Sequence, residues 1–318
     1  MPIETLLASK NVIGPGAETF DTTIDANYTT TAGSVTGSNV TLALKIYYPT
    51  LSDPETPRPV VFIVSGGGYS LSSSAFFPTQ AQYIAEMGAI CVVVEYRIMG
   101  DDPLDTGSDA SQNVLRRTIR AVSFDIDEAI KYTLANYLEY ESGGDRVFTI
   151  EPSWMFLLGQ SQGGISSLQY VQDYPTRKII GIIVFASAFG GDGLTVSGET
   201  ATDILRGQLK YTEDHHHIPV CAFLGGADTT IGTTYIESFR TRLGAIGGSI
   251  VHYDADGDHS NTGVGLFDTN DIVGASTEEE AIYNFIRDRC ANSPNTSSLR
   301  QQGAAWSRRW VKLQSRFW

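Results

Sequence analysis

Residues 154–163 read WMFLLGQSQG, an apolar run of strand length followed directly by a serine, Ser161, that stands between two glycines. This is the pattern G-x-S-x-G, and the residues after it favour a helix. Between a strand and a helix, the pattern indicates a nucleophile elbow, a sharp turn that exposes a serine hydroxyl above the edge of a sheet. Glycines on either side let the two backbones approach without a Cβ clash. We therefore predict that Ser161 is a nucleophile, with a simple glycine-rich turn as the alternative.

Strand and helix patterns alternate along the rest of the chain. Residues 40–49 (VTLALKIYYP) alternate apolar and polar side chains, as a half-buried strand does. Residues 89–96 (AICVVVEY) are apolar on both faces, which is typical of a strand covered by helices on both sides. Residues 114–138 repeat apolar side chains at three- and four-residue steps, which predicts a long helix. Further strands are predicted at 59–64, 154–159, 179–185, 219–225 and 249–254, and further helices at 79–87, after 161, at 233–243 and at 277–289. This order predicts an α/β domain with a mostly parallel central sheet flanked by helices.

The sequence divides the chain into three parts. Residues 1–38 are rich in Thr, Gly and Ser and are predicted to be an irregular segment that crosses the surface, with a short strand within it as the alternative. Residues 39–290 form the α/β domain, within which about 189–218 are predicted to form a small cap. Residues 291–318 hold five basic residues, no acidic ones and three of the four tryptophans. We interpret this last part as a disordered or cloning-derived tail.

Composition excludes several classes of protein. With 318 residues, 42% of them hydrophobic and 18% charged, the chain is globular rather than disordered or fibrous. The net charge of −14 argues against a nucleic-acid partner, which would need cations for its phosphates. No apolar run approaches the roughly 20 residues that span a bilayer.

Cysteine use and the first residues bear on location. Cys91, Cys221 and Cys290 lie far apart in the sequence, which favours buried thiols over a disulfide or a metal site. The first residues carry no basic segment followed by an apolar one. We expect a cytoplasmic protein, with a secreted protein that has lost its signal as the alternative.

A glycine run follows the strand predicted at 59–64. Residues 65–69 read SGGGY, and consecutive glycines can aim several backbone N–H groups at one oxygen, as a tetrahedral intermediate requires. A phosphate-binding loop would need a following Lys-Ser/Thr pair, which this run lacks. A dinucleotide-binding pattern fails as well, because Leu71 stands where its last glycine is needed. The run is therefore predicted to be an oxyanion loop.

A serine nucleophile needs a base and an acid that orients the base. Of five histidines, His259 lies in a loop after the last strand, whereas His252 lies inside that strand. Asp228 follows the strand at 219–225 and precedes His259, which matches the chain order Ser, acid, His. We predict His259 as the base and Asp228 as the acid, with Asp256 and Asp258 as alternatives to Asp228. A cap for the next helix is the structural alternative for Asp228.

Two other polar clusters could suggest metal binding. His215, His216 and His217 are consecutive, but consecutive side chains converge poorly on one ion, so a solvated loop is expected. Residues 254–258 alternate aspartates as a calcium loop does, but the glycine is misplaced and the distal glutamate is missing. No metal or organic cofactor is predicted.

With Ser161, Asp228, His259 and the glycine run in place, the chain resembles α/β-hydrolase carboxylesterases with a GGG-X oxyanion loop, such as hormone-sensitive-lipase-like and type-B bacterial esterases. The resemblance covers about 40–289 and rests on FIVSGGGYS, VVVEYR, RAVSFDIDEAIKY, GQSQGG, GGAD and GDHS. It implies that the backbone N–H groups of Gly67, Gly68 and Gln162 bind the oxyanion. Many relatives have a histidine where this chain has Ser65, so the loop must be supported differently.

The resemblance implies a serine carboxylesterase (EC 3.1.1.-, with 3.1.1.1 as the specific class) that hydrolyses small esters through an acyl-enzyme. Because the cap at about 189–218 is small, we expect short to medium acyl groups. A serine peptidase, an amidase or an acyltransferase with the same triad is an alternative, and so is a non-catalytic binding protein. The sequence leaves open whether the chain is a monomer or a homodimer.

Overall fold

The computed structural model describes residues 19–30, 40–51, 53–101, 114–187, 195–196, 199–200, 218–244, 248–259 and 275–292. The strands are β1 (Thr19–Thr30), β2 (Val40–Thr50), β3 (Arg58–Val64), β4 (Ile90–Val94), β5 (Glu139–Ser142), β6 (Asp145–Gln160), β7 (Ile179–Phe185), β8 (Thr195–Val196), β9 (Glu199–Thr200), β10 (Val220–Gly225) and β11 (Ile250–Asp254). The helices are α1 (Pro78–Glu86), α2 (Val114–Tyr137), α3 (Gln162–Asp173), α4 (Thr233–Gly244) and α5 (Ala275–Asn292), with a 3-10 turn at Met99–Asp101.

The main sheet has the order β1-β2-β4-β3-β6-β7-β10-β11, with β5 paired to β6 outside this path. From β4 to β11 every neighbouring pair along that path is parallel, whereas β1 and β2 join it antiparallel. The prediction of a mostly parallel sheet flanked by helices is confirmed. The carboxyl ends of β3, β6, β10 and β11 consequently meet at one edge, which is where ligands bind in open α/β sheets.

Two hydrophobic clusters cover the two faces of the sheet. In β3, Val60, Phe62 and Val64 belong to one cluster and Val61 and Ile63 to the other, because successive side chains of a strand point to opposite faces. Helices α2, α3 and α4 pack on the first face, and α1 and α5 on the second. The three cysteines are free and buried, as predicted.

The structure differs from the prediction at two places. The segment predicted to be irregular contains β1, which pairs along its length with β2. This edge strand buries Tyr28 but exposes Asp25 and Asn27, so its one-sided pattern is weak in the sequence. The second difference is that β6 begins at Asp145, well before residue 154, and forms a hairpin with β5. The predicted cap at about 189–218, the three consecutive histidines and the tail at 293–318 lie outside the described residues, apart from short strand segments and Ile218.

No helix among the described residues is long and apolar enough to cross a membrane.

Candidate active site

Ser161 lies in a strained turn between β6 and α3. Its backbone angles are φ 54° and ψ −125°, a combination that side-chain-bearing residues rarely adopt. The turn requires glycine nearby, because a Cβ on Gly163 would overlap the carbonyl oxygen of Val64 and one on Gly159 would overlap the backbone of Gly163. The predicted elbow geometry is therefore present at the carboxyl end of β6. Strain of this kind is common at catalytic positions and follows here from the sequence GQSQG.

Neighbouring strands hold the backbone of Ser161 in this conformation. Its N–H donates to the carbonyl oxygen of Phe185 at 2.8 Å. Its own carbonyl oxygen accepts a hydrogen bond from Ser187 Oγ, also at 2.8 Å. Ser187 is completely buried at the end of β7, and the sequence reasoning did not single it out. Its signal is local: it follows a predicted strand that neighbours the elbow.

Asp228 and His259 form a hydrogen-bonded pair at the same sheet edge. Asp228 follows β10, His259 follows β11, and the distance from His259 Nδ1 to Asp228 Oδ2 is 2.8 Å. The Asp228 side chain is completely buried, whereas the His259 side chain is 21% exposed to solvent. The carboxylate orients the ring so that Nε2 is the nitrogen left for other chemistry. Within the described part of the chain, no hydrogen bond joins Ser161 Oγ to this imidazole.

The other oxygen of Asp228 stabilises the turn before α4. Asp228 Oδ1 accepts hydrogen bonds from the backbone N–H groups of Thr230 and Ile231, both at 2.9 Å. The sequence posed helix capping and imidazole orientation as alternatives for Asp228. The structure shows turn stabilisation by one oxygen and imidazole contact by the other. Both carboxylate oxygens are thus occupied, which fixes the orientation of the group.

The glycine run adopts a conformation that only glycine tolerates easily. Gly67 has φ 137° and Gly68 has φ 57°, and Tyr69 follows in the left-handed region at φ 61°. A Cβ on Gly66 would overlap the side-chain oxygen of Gln160, so the run lies directly against the end of β6. The backbone N–H groups of Gly67, Gly68 and Gln162 have no acceptor among the residues that the structure describes. These three are the donors that the resemblance implied.

A buried polar network joins the glycine run to the start of α3. Tyr96 Oη lies 2.6 Å from the carbonyl oxygen of Ser65 and 2.8 Å from Gln162 Oε1. Gln162 Nε2 donates to Ser166 Oγ at 2.9 Å, and Ser166 Oγ donates to Tyr69 Oη at 3.4 Å. Sequence reasoning quoted VVVEYR only as part of the resemblance and assigned Tyr96 no role. No local signal identifies it, because its partners are remote in sequence.

Burial keeps the phenols of this network protonated. Burial raises the pKa of Tyr96 to about 12, although its hydrogen bonds lower it in part. Burial likewise raises the pKa of Tyr69 well above its ordinary value. Both hydroxyls therefore remain protonated at any pH at which the protein would work.

Arg97, the residue after Tyr96, attaches this part of the chain to α2. Arg97 forms a buried ion pair with Asp125 of α2, in which Nη2 lies 2.7 Å and Nε 3.1 Å from Oδ1. The backbone N–H of Arg97 also donates to Asp125, at 2.9 Å. The position of Tyr96 is thus set from α2 as well as from its own hydroxyl contacts.

His252 and Asp256 make other contacts. The ring of His252 stacks on Phe223 with centroids 4.7 Å apart, so it packs on a face of the sheet. Burial lowers the pKa of His252. Asp254 Oδ1 accepts from the N–H of Asp256, a turn contact. Among the described residues, no three His, Cys, Asp or Glu side chains are grouped as metal ligands.

No protein-family model matches the sequence. No curated protein matches it either. Several solved structures, however, are similar to the structure of this chain. An esterase from Rhizomucor miehei is 14% identical, with a TM-score of 0.58 over 92% of this chain and 92% of that chain. A butyrate-bound esterase from Thermogutta terrifontis is 18% identical, with a TM-score of 0.55 over 85% and 96%. Carboxyl esterase 2 from Tuber melanosporum is 16% identical, with a TM-score of 0.54 over 84% and 86%.

These likenesses concern the fold, because all the identities lie below 20%. Each neighbour matches over most of both chains, and the sheet order agrees with the α/β-hydrolase architecture. The chain therefore has the α/β-hydrolase fold that the sequence predicted. A fold of this kind supports many chemistries, so function has to be argued from the site itself.

Proposed function

We propose that this protein is a serine carboxylesterase with Ser161 as nucleophile, His259 as general base and Asp228 as the acid that orients it. The observation that carries the proposal is the 2.8 Å contact of His259 Nδ1 with the buried Asp228 carboxylate, at the same sheet edge as the strained elbow of Ser161. These groups follow three parallel strands, β10, β11 and β6, whose carboxyl ends lie at one edge of the sheet. A nucleophile, an oriented base and unoccupied N–H donors are what acyl transfer requires.

The mechanism follows from these roles. His259 Nε2 takes the proton of Ser161 as Oγ attacks the ester carbonyl carbon, and the carbonyl oxygen becomes an oxyanion. The N–H groups of Gly67, Gly68 and Gln162 stabilise that charge. The carbon–oxygen bond to the alcohol then breaks, and His259 returns the proton to the leaving alcohol. Water, deprotonated by His259, hydrolyses the acyl-enzyme by the same route and restores Ser161.

Short to medium acyl groups fit the proposal best. The insertion between β7 and β10 is only about 30 residues, as the sequence indicates, so little chain is available to enclose a long acyl group. The esterase from Thermogutta terrifontis, which shares the fold, has been solved with butyrate bound. Both points favour small carboxylic esters as the substrate class.

The test is hydrolysis of p-nitrophenyl acetate, butyrate and decanoate by the wild type, Ser161→Ala and Ser153→Ala. Ser153 is a matched control, because it is a buried serine of the same strand that bonds Glu151, far from the sheet edge. We expect rapid turnover of the acetate and butyrate, loss of that turnover in Ser161→Ala, and normal turnover in Ser153→Ala. Mass spectrometry after an organophosphate should show one phosphoryl group on the wild type and none on Ser161→Ala.

Three outcomes would contradict the proposal. Equal activity of Ser161→Ala and the wild type would exclude Ser161 as nucleophile. Hydrolysis of p-nitroanilides in preference to the matching esters would indicate an amidase or a peptidase. Absence of both turnover and organophosphate labelling would indicate a binding protein on this fold.

A further inference from the structure

The proposed oxyanion hole is assembled from two parts of the chain that are remote in sequence. Gly67 and Gly68 follow β3, whereas Gln162 follows β6, so their N–H groups point at one oxygen only if the two segments are held together. Ser65 begins the glycine run, and its buried hydroxyl oxygen has no hydrogen-bond partner among the described residues. The Ser65 side chain therefore does not provide the brace. Another group must link the two segments.

The hydroxyl of Tyr96 is in the place to do so. It lies 2.6 Å from the Ser65 carbonyl oxygen on one segment and 2.8 Å from Gln162 Oε1 on the other. The carbonyl oxygens of Gly66 and Leu71 lie at 3.5 Å from the same hydroxyl. Tyr96 is 1% exposed, so no water competes freely for these acceptors. One phenol thus contacts both segments, at the start of the glycine run, just beyond its end and at the side chain of Gln162.

Further contacts make this brace rigid. The N–H of Tyr96 donates to Ser72 Oγ at 2.9 Å, and the N–H of Met99 donates to the carbonyl oxygen of Tyr69 at 2.8 Å. The residues around Tyr96 are therefore tied to the whole loop that contains the oxyanion donors. Gln162 is fixed in turn by its contact with Ser166, one turn along α3. The Ser65 carbonyl oxygen and Gln162 Oε1 share the single phenolic proton of Tyr96, and a buried polar network of this kind restricts its side chains to one arrangement.

We propose that Tyr96 is a positioning residue for the oxyanion hole, acting through the Ser65 carbonyl and the Gln162 side chain. The inference rests on the proposed esterase function and goes beyond it, because Tyr96 touches none of the reacting atoms. Gln162 then has two roles. Its backbone N–H donates to the oxyanion, and its side chain aligns that N–H with those of Gly67 and Gly68.

The expected consequence is a loss in kcat rather than in substrate affinity. The oxyanion exists only in the transition state and the tetrahedral intermediate, so misaligned donors cost little when the ester binds. Complete loss of one donor typically lowers kcat by about 10²–10³-fold. Removing the Tyr96 hydroxyl loosens donors without deleting them, so we expect kcat to fall by about 10- to 100-fold. KM should stay within about twofold of the wild type.

The test compares Tyr96→Phe with Tyr170→Phe and Gln162→Leu in p-nitrophenyl butyrate hydrolysis, with Ser161→Ala as the inactive reference. Tyr170 is a matched control: it is a buried tyrosine on α3 whose hydroxyl bonds Asp127 at 3.1 Å, away from the loop. We expect Tyr96→Phe and Gln162→Leu to lose kcat to a similar extent, and the double variant to lose no more than either. Tyr170→Phe should keep the wild-type kcat even where its unfolding midpoint falls as far as that of Tyr96→Phe.

A second measurement separates alignment from general loosening. A trifluoromethyl ketone that forms a tetrahedral adduct with the serine should bind Tyr96→Phe more weakly, by the factor lost in kcat/KM. The positioning role is refuted if Tyr96→Phe loses no more kcat than Tyr170→Phe while Ser161→Ala is inactive, and the esterase proposal then stands. If Ser161→Ala is as active as the wild type, the esterase proposal fails and takes the positioning role with it. If Tyr96→Phe does not fold, the kcat of Gln162→Leu relative to Tyr170→Phe decides whether the positioning role stands, because Gln162→Leu breaks the same link at its other end.

Discussion

Replacement of Asp228 by asparagine tests the proposed triad most directly, since the structure determines how the new amide must sit. Asp228 Oδ1 accepts two backbone N–H groups, those of Thr230 and Ile231, at 2.9 Å each. An NH2 group cannot accept hydrogen bonds, so the asparagine must keep its oxygen there. Its NH2 group then faces His259 Nδ1, where the carboxylate oxygen lay at 2.8 Å.

The amide therefore donates to Nδ1 and forces the imidazole proton onto Nε2. In that tautomer Nε2 cannot accept the proton of Ser161, although every atom remains in place. The same change in a Ser-His-Asp triad lowers kcat by about 10⁴-fold. At about 1.36 kcal/mol per factor of ten, this is a barrier increase of about 5 kcal/mol. Stability should change far less, by about 1–2 kcal/mol, because both turn hydrogen bonds survive.

The assay is steady-state hydrolysis of p-nitrophenyl butyrate, together with urea unfolding of the same preparations. Asp256→Asn and Asp258→Asn serve as matched controls, since both aspartates are exposed in the same loop as His259. We expect both controls to behave like the wild type. If Asp228→Asn keeps more than about a tenth of the wild-type kcat, or if a control variant is the inactive one, the assignment of the orienting acid is wrong.

Two further predictions concern stability. Asp125→Ala removes the carboxylate that pairs with the buried Arg97 guanidinium and should lower the free energy of unfolding by about 3–5 kcal/mol in urea titrations; a loss below about 1 kcal/mol would show that the pair is dispensable. Burial lowers the pKa of His252, so the unfolded chain binds a proton more readily and stability should fall as the pH drops below the ordinary histidine value of 6.5. His252→Phe keeps the stack on Phe223 and should lose less unfolding free energy than the wild type between about pH 7.5 and about pH 5; an equal loss would contradict this reasoning.

The sequence predicted the parts of the fold whose signal is local. Strands β3, β4, β7 and β10 are almost uniformly apolar, and α2 carries one continuous apolar stripe. Each of these elements can therefore be predicted from its own segment of sequence. Strand β1 was predicted only as a short alternative within an irregular segment, because it is a polar edge strand whose partner, β2, supplies its main stabilisation. The early part of β6 was missed for a similar reason, since it is held by the hairpin with β5. Pairing between strands is non-local, and a single segment does not reveal it.

The candidate site divides in the same way. The sequence singled out Ser161 and the glycine run because sharp turns need glycines at fixed spacing, and Asp228 and His259 because chain order and strand ends leave few candidates for the proposed triad. The sequence also determined the α/β class and the acidic balance of the chain. Only the tertiary structure decided that Asp228 stabilises a turn and contacts His259 at once, and that Tyr96 bridges Ser65 and Gln162. The reason is physical: a hydrogen bond depends on distance and direction between atoms, and residues 31 to 66 positions apart acquire these only when the sheet brings their strand ends together.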